Sequence, residues 1–215
     1  MARAPSSGGK TRLAPHLSVS RLASLRAALL ADTLLVLESL PAVTIFFTPD
    51  DAEAEIAALA CASMRLAPQG DGDLGIRMLR ALRFLRPVAE PGGLTPEAAL
   101  LVGSDIPLLR VDHLNEAAET LEARGGVVLG PADDGGYYLI GMTEVQPGLF
   151  DAVAWGSESV LTDTLRAAER AGVEARLIRS AYDIDTIDDL RRLARDLADA
   201  PAAVCPGVRR WLSES

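Results

Sequence analysis

The chain has 215 residues, of which 49% are hydrophobic, and this is enough to bury the core of one domain. Its 21 basic and 30 acidic side chains give a formal net charge of −9, which disfavours nucleic acid and anionic membranes as partners. No apolar stretch is long enough to cross a bilayer, and no signal segment is visible. The two cysteines, Cys61 and Cys205, lie far apart, so we expect a reduced, cytoplasmic setting without a zinc or redox motif.

The first sixteen residues form a basic, glycine-containing segment that includes Arg3, Lys10 and Arg12. The Gly-Lys-Thr sequence around Lys10 suggests a Walker A loop, but Ala4 stands where that motif needs glycine and Pro15 interrupts the helix that should follow. We therefore reject an ATPase. We expect a loop whose backbone N–H groups and three cationic side chains hold a diphosphate, the alternative being a solvated basic tail.

Strands and helices are predicted to alternate along the rest of the chain, because short apolar runs alternate with segments of helical periodicity. The predicted elements are, in order, a helix at 18–40, a strand at 43–47, a helix at 51–62, a strand at 64–67, a helix at 75–85, a strand at 98–102, a helix at 112–124, two strands joined by a glycine turn within 127–142, a helix at 157–171, a strand at 173–178 and a helix at 187–197. This order predicts a three-layer α/β/α fold with a mostly parallel mixed sheet, in a single domain over 1–215. The polar C-terminal segment is assigned no element, although we expect Trp211 to pack against the body.

Carboxylates follow three of the predicted strands: Asp105, the pair Asp133 and Asp134, and the pair Asp183 and Asp185. Open α/β sheets bind ligands beyond the carboxyl ends of their strands, and oxygen ligands from separate strands suit Mg²⁺ or Mn²⁺ bound together with substrate phosphates. We predict Asp105 and Asp185 as the metal ligands. For any one of these acids the alternative is a turn former or a helix cap, and Asp185 in particular precedes a predicted helix.

The acids of the second pair stand directly before Gly135 and Gly136, which permit a tight turn and a close approach to a ligand. We predict that Asp134 accepts a proton from an attacking hydroxyl or orients a sugar, with Asp133 as the weaker catalytic candidate. An ordinary hairpin turn explains the same four residues equally well.

Three further residues are assigned to the nucleotide. Ser104 stands beside Asp105, and Gln69 and Gly70 could line a base pocket, although an exposed loop is the simpler interpretation of that pair. The sequence contains no nucleophile elbow, dinucleotide fingerprint or zinc spacing that would indicate a different chemistry.

Four segments together resemble a known family, and they are Lys10–Pro15, Gly103–Pro107, Gly130–Gly141 and Asp183–Thr186. As a set they are similar to small bacterial glycosyltransferase-like proteins of the GT-A, nucleotide-diphospho-sugar transferase fold, of the arsenosugar-biosynthesis or radical-SAM-associated type. The set is more distantly similar to 2-phospho-L-lactate guanylyltransferases and molybdopterin-type nucleotidyltransferases. The resemblance implies a nucleotide-sugar or nucleoside triphosphate substrate and a divalent metal at Asp105.

Such proteins usually begin with an apolar strand before the basic loop, so the first strand is expected to be truncated here. The resemblance implies a metal-dependent transferase that moves a sugar from a nucleoside diphosphate to a small-molecule acceptor. The alternative is a guanylyltransferase-like nucleotidyltransferase, which would act on a phosphorylated small acid and release pyrophosphate. A catalytically weak nucleotide-binding accessory protein is the second alternative, and the sequence does not indicate an oligomeric state.

Overall fold

The computed structural model describes residues 1–85 and 98–214, which form alternating strands and helices. The strands are β1 (Ala2–Arg3), β2 (Thr44–Thr48), β3 (Arg65–Pro68), β4 (Ala99–Val102), β5 (Val127–Pro131), β6 (Tyr137–Met142) and β7 (Ala175–Leu177). The α-helices are α1 (Val19–Leu37), α2 (Glu53–Ala57), α3 (Leu74–Leu85), α4 (Val111–Arg124), α5 (Val160–Ala171), α6 (Ile187–Asp199) and α7 (Pro206–Ser213). Every helix and strand that the sequence predicts is therefore present, and the α/β class is confirmed.

Strand β1 is two residues long and pairs in parallel with β2, which agrees with the shortened first strand that was expected. Two helices differ from the prediction. Helix α2 has only five residues, and Ala52 before it provides no side chain to cap its N-terminus. Helix α7 was missed altogether, for a reason that its contacts explain.

Contacts divide the described residues into two compact units. The first comprises 1–68, 104–109 and 182–214, and the second comprises 69–85, 98–103 and 110–181. The single domain predicted over 1–215 stays a prediction. Among the described residues, no helix is both long and apolar enough to cross a membrane.

The first unit contains a parallel three-stranded sheet in the order β1-β2-β3. Helix α1 connects two apolar clusters of this unit, because its leucines are buried on two sides. Leu30 and Leu34 pack with Ile45 and Phe47 of β2. The other cluster joins α1 to the two C-terminal helices, and its buried members are Leu13, Leu22, Leu25, Leu29, Tyr182, Ile184, Leu190, Leu193, Leu197, Cys205, Val208 and Trp211.

The second unit contains a four-stranded sheet in the order β4-β6-β5-β7. Strand β6 runs antiparallel to both β4 and β5, whereas β5 and β7 are parallel. One antiparallel strand among otherwise parallel strands agrees with the predicted mostly parallel mixed sheet.

Helix α7 is held by α1, which explains why its own sequence gave no clear signal. The carboxylate of Asp32 on α1 accepts hydrogen bonds from the backbone N–H groups of Gly207 at 2.7 Å and Val208 at 2.8 Å. These are donors that the first turn of a helix leaves unsatisfied, so a side chain 175 residues away replaces a local cap. Trp211 donates its indole N–H to the carbonyl of Arg21 at 3.1 Å, which confirms that it packs against the body.

Candidate metal and phosphate site

Residues 104–109, which follow β4, are held by contacts with other parts of the first unit. Ile106 and Leu109 are buried, and the hydroxyl of Thr33 on α1 donates to the carbonyl of Ser104 at 3.3 Å. The thiol of Cys205 donates to the carbonyl of Pro107. These contacts hold the backbone around Asp105, whose side chain stays 43% exposed and can therefore reach a ligand.

Asp183 and Asp185 lie on one side of an extended segment that leads into α6. Tyr182 and Ile184 are buried, and since side chains alternate along extended chain, the two acids project the other way. The alternative role of Asp185 as the cap of α6 is wrong, because the hydroxyl of Thr186 accepts the backbone N–H of Asp189 instead.

Asp189, in the first turn of α6, positions this segment. One of its carboxylate oxygens accepts from the backbone N–H of Asp185 at 3.1 Å and from that of Thr186 at 2.7 Å. The same oxygen accepts from the Thr186 hydroxyl at 2.8 Å. The backbone N–H of Asp189 donates back to that hydroxyl at 3.3 Å, which completes a capping box. The backbone that presents Asp185 is therefore anchored by a residue of the following helix.

Three carboxylates converge at this place. One oxygen from each of Asp105, Asp183 and Asp185 lies within 4.8 Å of the other two. Carboxylate oxygens at this spacing, on partly exposed side chains, suit a hard divalent cation that keeps some of its water ligands. The structure thus brings the two predicted metal ligands together and adds Asp183, which the alternation around Ile184 could have indicated; the binding of Mg²⁺ or Mn²⁺ itself stays a prediction.

Lys10 lies among these carboxylates. Its ammonium is 3.0 Å from an oxygen of Asp105 and 3.3 Å from one of Asp185, and its side chain is only 7% exposed. Burial lowers the pKa of Lys10, but the charges of Asp105, Asp185 and Asp183 together outweigh burial, so the pKa is raised above its ordinary value. The ammonium therefore offsets part of the negative charge of the cluster, and its predicted contact with phosphate remains a prediction.

Basic side chains line a cavity of about 170 Å³ beside the cluster. Its lining residues, all in the first unit, are Arg3, Gly8, Gly9, Lys10, Arg26, Leu29, Leu30, Ser104, Asp105 and Asp185. Arg3, Lys10 and Ser104 were predicted for this place. Arg12, assigned to the same grip, is exposed and does not line the cavity.

Arg26 was not predicted, because it belongs to α1, a helix whose sequence indicates only packing. It lies between Leu22 and Leu29, four residues after the first and three before the second, so the helix turns it toward the same side. The sequence shows an arginine within an apolar stripe of leucines, and this pattern alone does not indicate a ligand site.

The predicted base pocket belongs to the second unit. Gln69 is buried, so the simpler interpretation of an exposed loop does not hold for this residue. Arg80 of α3 donates to the carbonyl of Gln69 and, at 3.0 Å, to that of Asp71, which fixes the loop. Gly70 has φ +69°, and a Cβ there would meet the Arg80 guanidinium at 2.6 Å. Nucleotide contacts of Gln69 and Gly70 stay predictions.

The Asp133–Gly136 segment, also in the second unit, forms the turn between β5 and β6. Asp134 accepts the backbone N–H of Gly136 at 2.8 Å, and both acids are exposed. Gly135 has φ +86°, and a Cβ there would lie 2.2 Å from the carbonyl oxygen of Glu158. The hairpin interpretation is therefore correct as a description of the backbone, while catalytic roles of Asp133 and Asp134 and ligand contacts of Gly135 and Gly136 stay predictions.

Comparison with known proteins gives relatives over most of the chain. It is 32% identical over 190 residues to the 2-phospho-L-lactate guanylyltransferase of Methanothrix thermoacetophila, covering 86% of this chain and 77% of that one. It is 34% identical over 108 residues to the phosphoenolpyruvate guanylyltransferase of Roseiflexus sp. (strain RS-1), covering 49% of this chain and 47% of that one.

A solved structure matches almost the whole fold. It is a protein of Desulfovibrio desulfuricans G20 provisionally named a nucleotide-diphospho-sugar transferase, with a TM-score of 0.83 and 29% identity over 97% of this chain and 91% of that one. The fold class and the resemblance drawn from the sequence are thereby confirmed. Residues 30–157 match the family model described as "Uncharacterized protein conserved in bacteria (DUF2064)". The chain belongs to the DUF2064 family, and its relatives place it among transferases with the nucleotide-diphospho-sugar transferase fold.

Proposed function

We propose that the protein is a divalent-metal-dependent nucleotidyltransferase that acts on a nucleoside triphosphate and a small phosphorylated acid. The observation that supports this most is the meeting of Asp105, Asp183 and Asp185 around one point. That point adjoins a cavity lined by two arginines, so the site combines ligands for a cation with cationic groups for phosphate.

The reaction would proceed by attack of a phosphate oxygen of the acceptor on the α-phosphorus of the nucleotide. A new P–O bond forms, the bond between the α-phosphorus and the bridging oxygen to the β-phosphate breaks, and pyrophosphate leaves with the electron pair. A cation held by Asp105, Asp183 and Asp185 would stabilise negative charge on the phosphates. Because a phosphate oxygen is already ionised near neutral pH, the step needs no general base.

The names of the relatives favour this reaction over sugar transfer. Both curated relatives are named guanylyltransferases of small phosphorylated acids. Sugar transfer from a nucleoside diphosphate remains the second candidate, because a protein provisionally named for that substrate class has the same fold.

The test supplies each donor with excess Mg²⁺ or Mn²⁺ and measures the released product. GTP is tried first, with 2-phospho-L-lactate or phosphoenolpyruvate as acceptor, and pyrophosphate release is followed together with the mass of the product. Acceptor-dependent release that is lost in Asp105→Asn supports the proposal. Asp199→Asn, an exposed acid at the end of α6, is the matched control and should keep full activity.

The other outcomes are equally specific. Release of nucleoside diphosphate from nucleotide-sugars, without pyrophosphate from any triphosphate, would replace nucleotidyl transfer by sugar transfer. If all donors bind with a thermal shift but none turns over with any acceptor, the accessory nucleotide-binding role stands instead.

A further inference from the structure

We propose that Arg26, together with Arg3, forms a subsite for a phosphoryl group in the cavity beside the carboxylate cluster. The inference deepens the proposed function and rests on it in one respect, namely that the phosphoryl group belongs to a substrate. It assigns a binding role to a residue of α1 that neither the motifs nor the comparisons indicate.

The guanidinium of Arg26 is oriented but incompletely paired. Its Nη1 donates to the carbonyl of Gly9 at 3.1 Å, which holds the plane of the group against the loop. Its Nε is buried, and within the described residues it has no hydrogen-bond partner. A buried donor without an acceptor is unfavourable, so the hydrogen-bonding capacity of this guanidinium is not fully used by the protein itself.

A second cation makes the same place more favourable for an anion. Burial lowers the pKa of Arg26, and the positive charge of Arg3 lowers it further. The negative charge of Glu55 raises the pKa of Arg26. The Glu55 carboxylate, however, accepts hydrogen bonds from the backbone N–H and the hydroxyl of Ser6, and it does not line the cavity. Two guanidiniums that repel each other beside a cavity are compensated by a phosphoryl group, whose oxygens match their planar donors.

The loop before Lys10 adds backbone donors to the cavity. Gly8, Gly9 and Lys10 have φ values of +90°, +101° and +52°, and all three line the cavity. Across the described part of the chain, the backbone N–H groups of Gly9 and Lys10 donate to no other residue. The Lys10 ammonium, by contrast, is already bound to Asp105 and Asp185, so the arginines and the loop are the groups available to an anion.

The phosphoryl group could come from two sources, the β- and γ-phosphates of the triphosphate or the phosphate of the acceptor. Binding of pyrophosphate, GTP, GMP and phosphoenolpyruvate is measured by calorimetry on the full chain with Mg²⁺ present. The variants are Arg26→Gln, Arg26→Lys and Arg3→Gln. The matched control is Arg195→Gln, which removes an exposed arginine of α6 in the same unit that does not line the cavity.

We expect Arg26→Gln to weaken the relevant ligand by about tenfold or more, because a hydrogen bond between two charged groups is lost. Arg26→Lys should recover only part of the affinity, since it restores the charge without the planar donors. Weaker pyrophosphate and GTP binding with unchanged phosphoenolpyruvate binding would assign the subsite to the nucleotide. Weaker phosphoenolpyruvate binding with unchanged pyrophosphate and GTP binding would assign the subsite to the acceptor.

Thermal unfolding and Mn²⁺ affinity serve as structural readouts, and both should match the wild type in Arg26→Gln. Equal affinity of Arg26→Gln and Arg195→Gln for all four ligands would overturn the subsite. Arginine-dependent pyrophosphate binding without turnover of any nucleotide would refute the proposed reaction and leave the subsite standing.

Discussion

The ammonium of Lys10 lies 3.0 Å from a carboxylate oxygen of Asp105, across a separation of 95 residues. Lys10 is the single lysine among the 21 basic side chains; the others are arginines. A compact ammonium can be surrounded by several carboxylates, whereas the planar guanidinium is suited to forked pairing with one. The choice of lysine here therefore agrees with a position inside a three-carboxylate cluster.

Lys10→Met should destabilise the metal-free protein by about 1–2 kcal/mol, because it leaves like charges close together. Loss of a fully buried partner would have a larger effect, but water screens Asp105 and Asp185, whose side chains are 43% and 38% exposed. Excess Mg²⁺ should reverse much of this loss, since a cation bound to the folded state replaces the missing charge. The measurement is urea unfolding with chelator and with Mg²⁺.

Lys10→Arg is the control that keeps the positive charge and changes the shape of the charged group. It should restore only part of the stability that Lys10→Met loses, because the larger guanidinium does not fit between the acids. If Lys10→Met unfolds at the same urea concentration as wild type in chelator, and Mg²⁺ stabilises both equally, Lys10 does not stabilise the fold by offsetting the charge of the cluster.

Asp189→Ala should reduce stability by about 1–2 kcal/mol, since it removes the acceptor of the capping box at α6. It should also weaken Mn²⁺ binding, because the backbone N–H of Asp185 loses its partner. The measurements are chemical denaturation and Mn²⁺ titration by electron paramagnetic resonance.

Asp188→Ala is the matched control for that variant. The neighbouring acid is 81% exposed and pairs with Arg191 on the surface of the helix, so its loss should change stability by less than about 0.5 kcal/mol. Unchanged Mn²⁺ affinity in Asp189→Ala would show that the cap does not position the metal ligand.

Local pattern was enough to predict the strands and the convergence of Asp105 with Asp185. Apolar runs that end at an acid recur in the sequence, and parallel strands bring their carboxyl ends together. The same reasoning could not find helix α7, because its cap is Asp32 of a different helix. It could not identify Arg26 either, since the role of a charged residue in a leucine-rich helix depends on the loop packed beside it.

The Asp133–Gly136 turn shows a second limit. In the sequence a hairpin and a catalytic site are equal alternatives, because an Asp-Gly pair is compatible with both. Only the structure shows that Gly135 faces the carbonyl of Glu158, a residue 23 positions away that no local pattern connects to it. The glycine is therefore explained by close backbone packing without any ligand.

Gly135→Ala should therefore be costly. Its φ of +86° is unfavourable for alanine by about 1–2 kcal/mol, and a Cβ 2.2 Å from a backbone oxygen forces a displacement worth about 1–3 kcal/mol more. Gly156→Ala isolates the first effect, because Gly156 has φ +84° and nothing within 4 Å of the added Cβ. Urea unfolding of both variants measures the difference, and equal losses would contradict the close approach at Gly135.

The two cysteines should differ sharply in reactivity toward a thiol reagent. Burial raises the pKa of Cys205 to about 12, helped by the negative charge of Asp32, and its thiol donates to the carbonyl of Pro107. A thiol with so high a pKa forms little thiolate at mildly alkaline pH, whereas Cys61 is partly exposed. Native protein should therefore label once and unfolded protein twice, and Cys61→Ser should abolish the native reaction. Rapid labelling of Cys205 in Cys61→Ser under native conditions would mean that α7 opens readily, and that Asp32 does not hold it to α1.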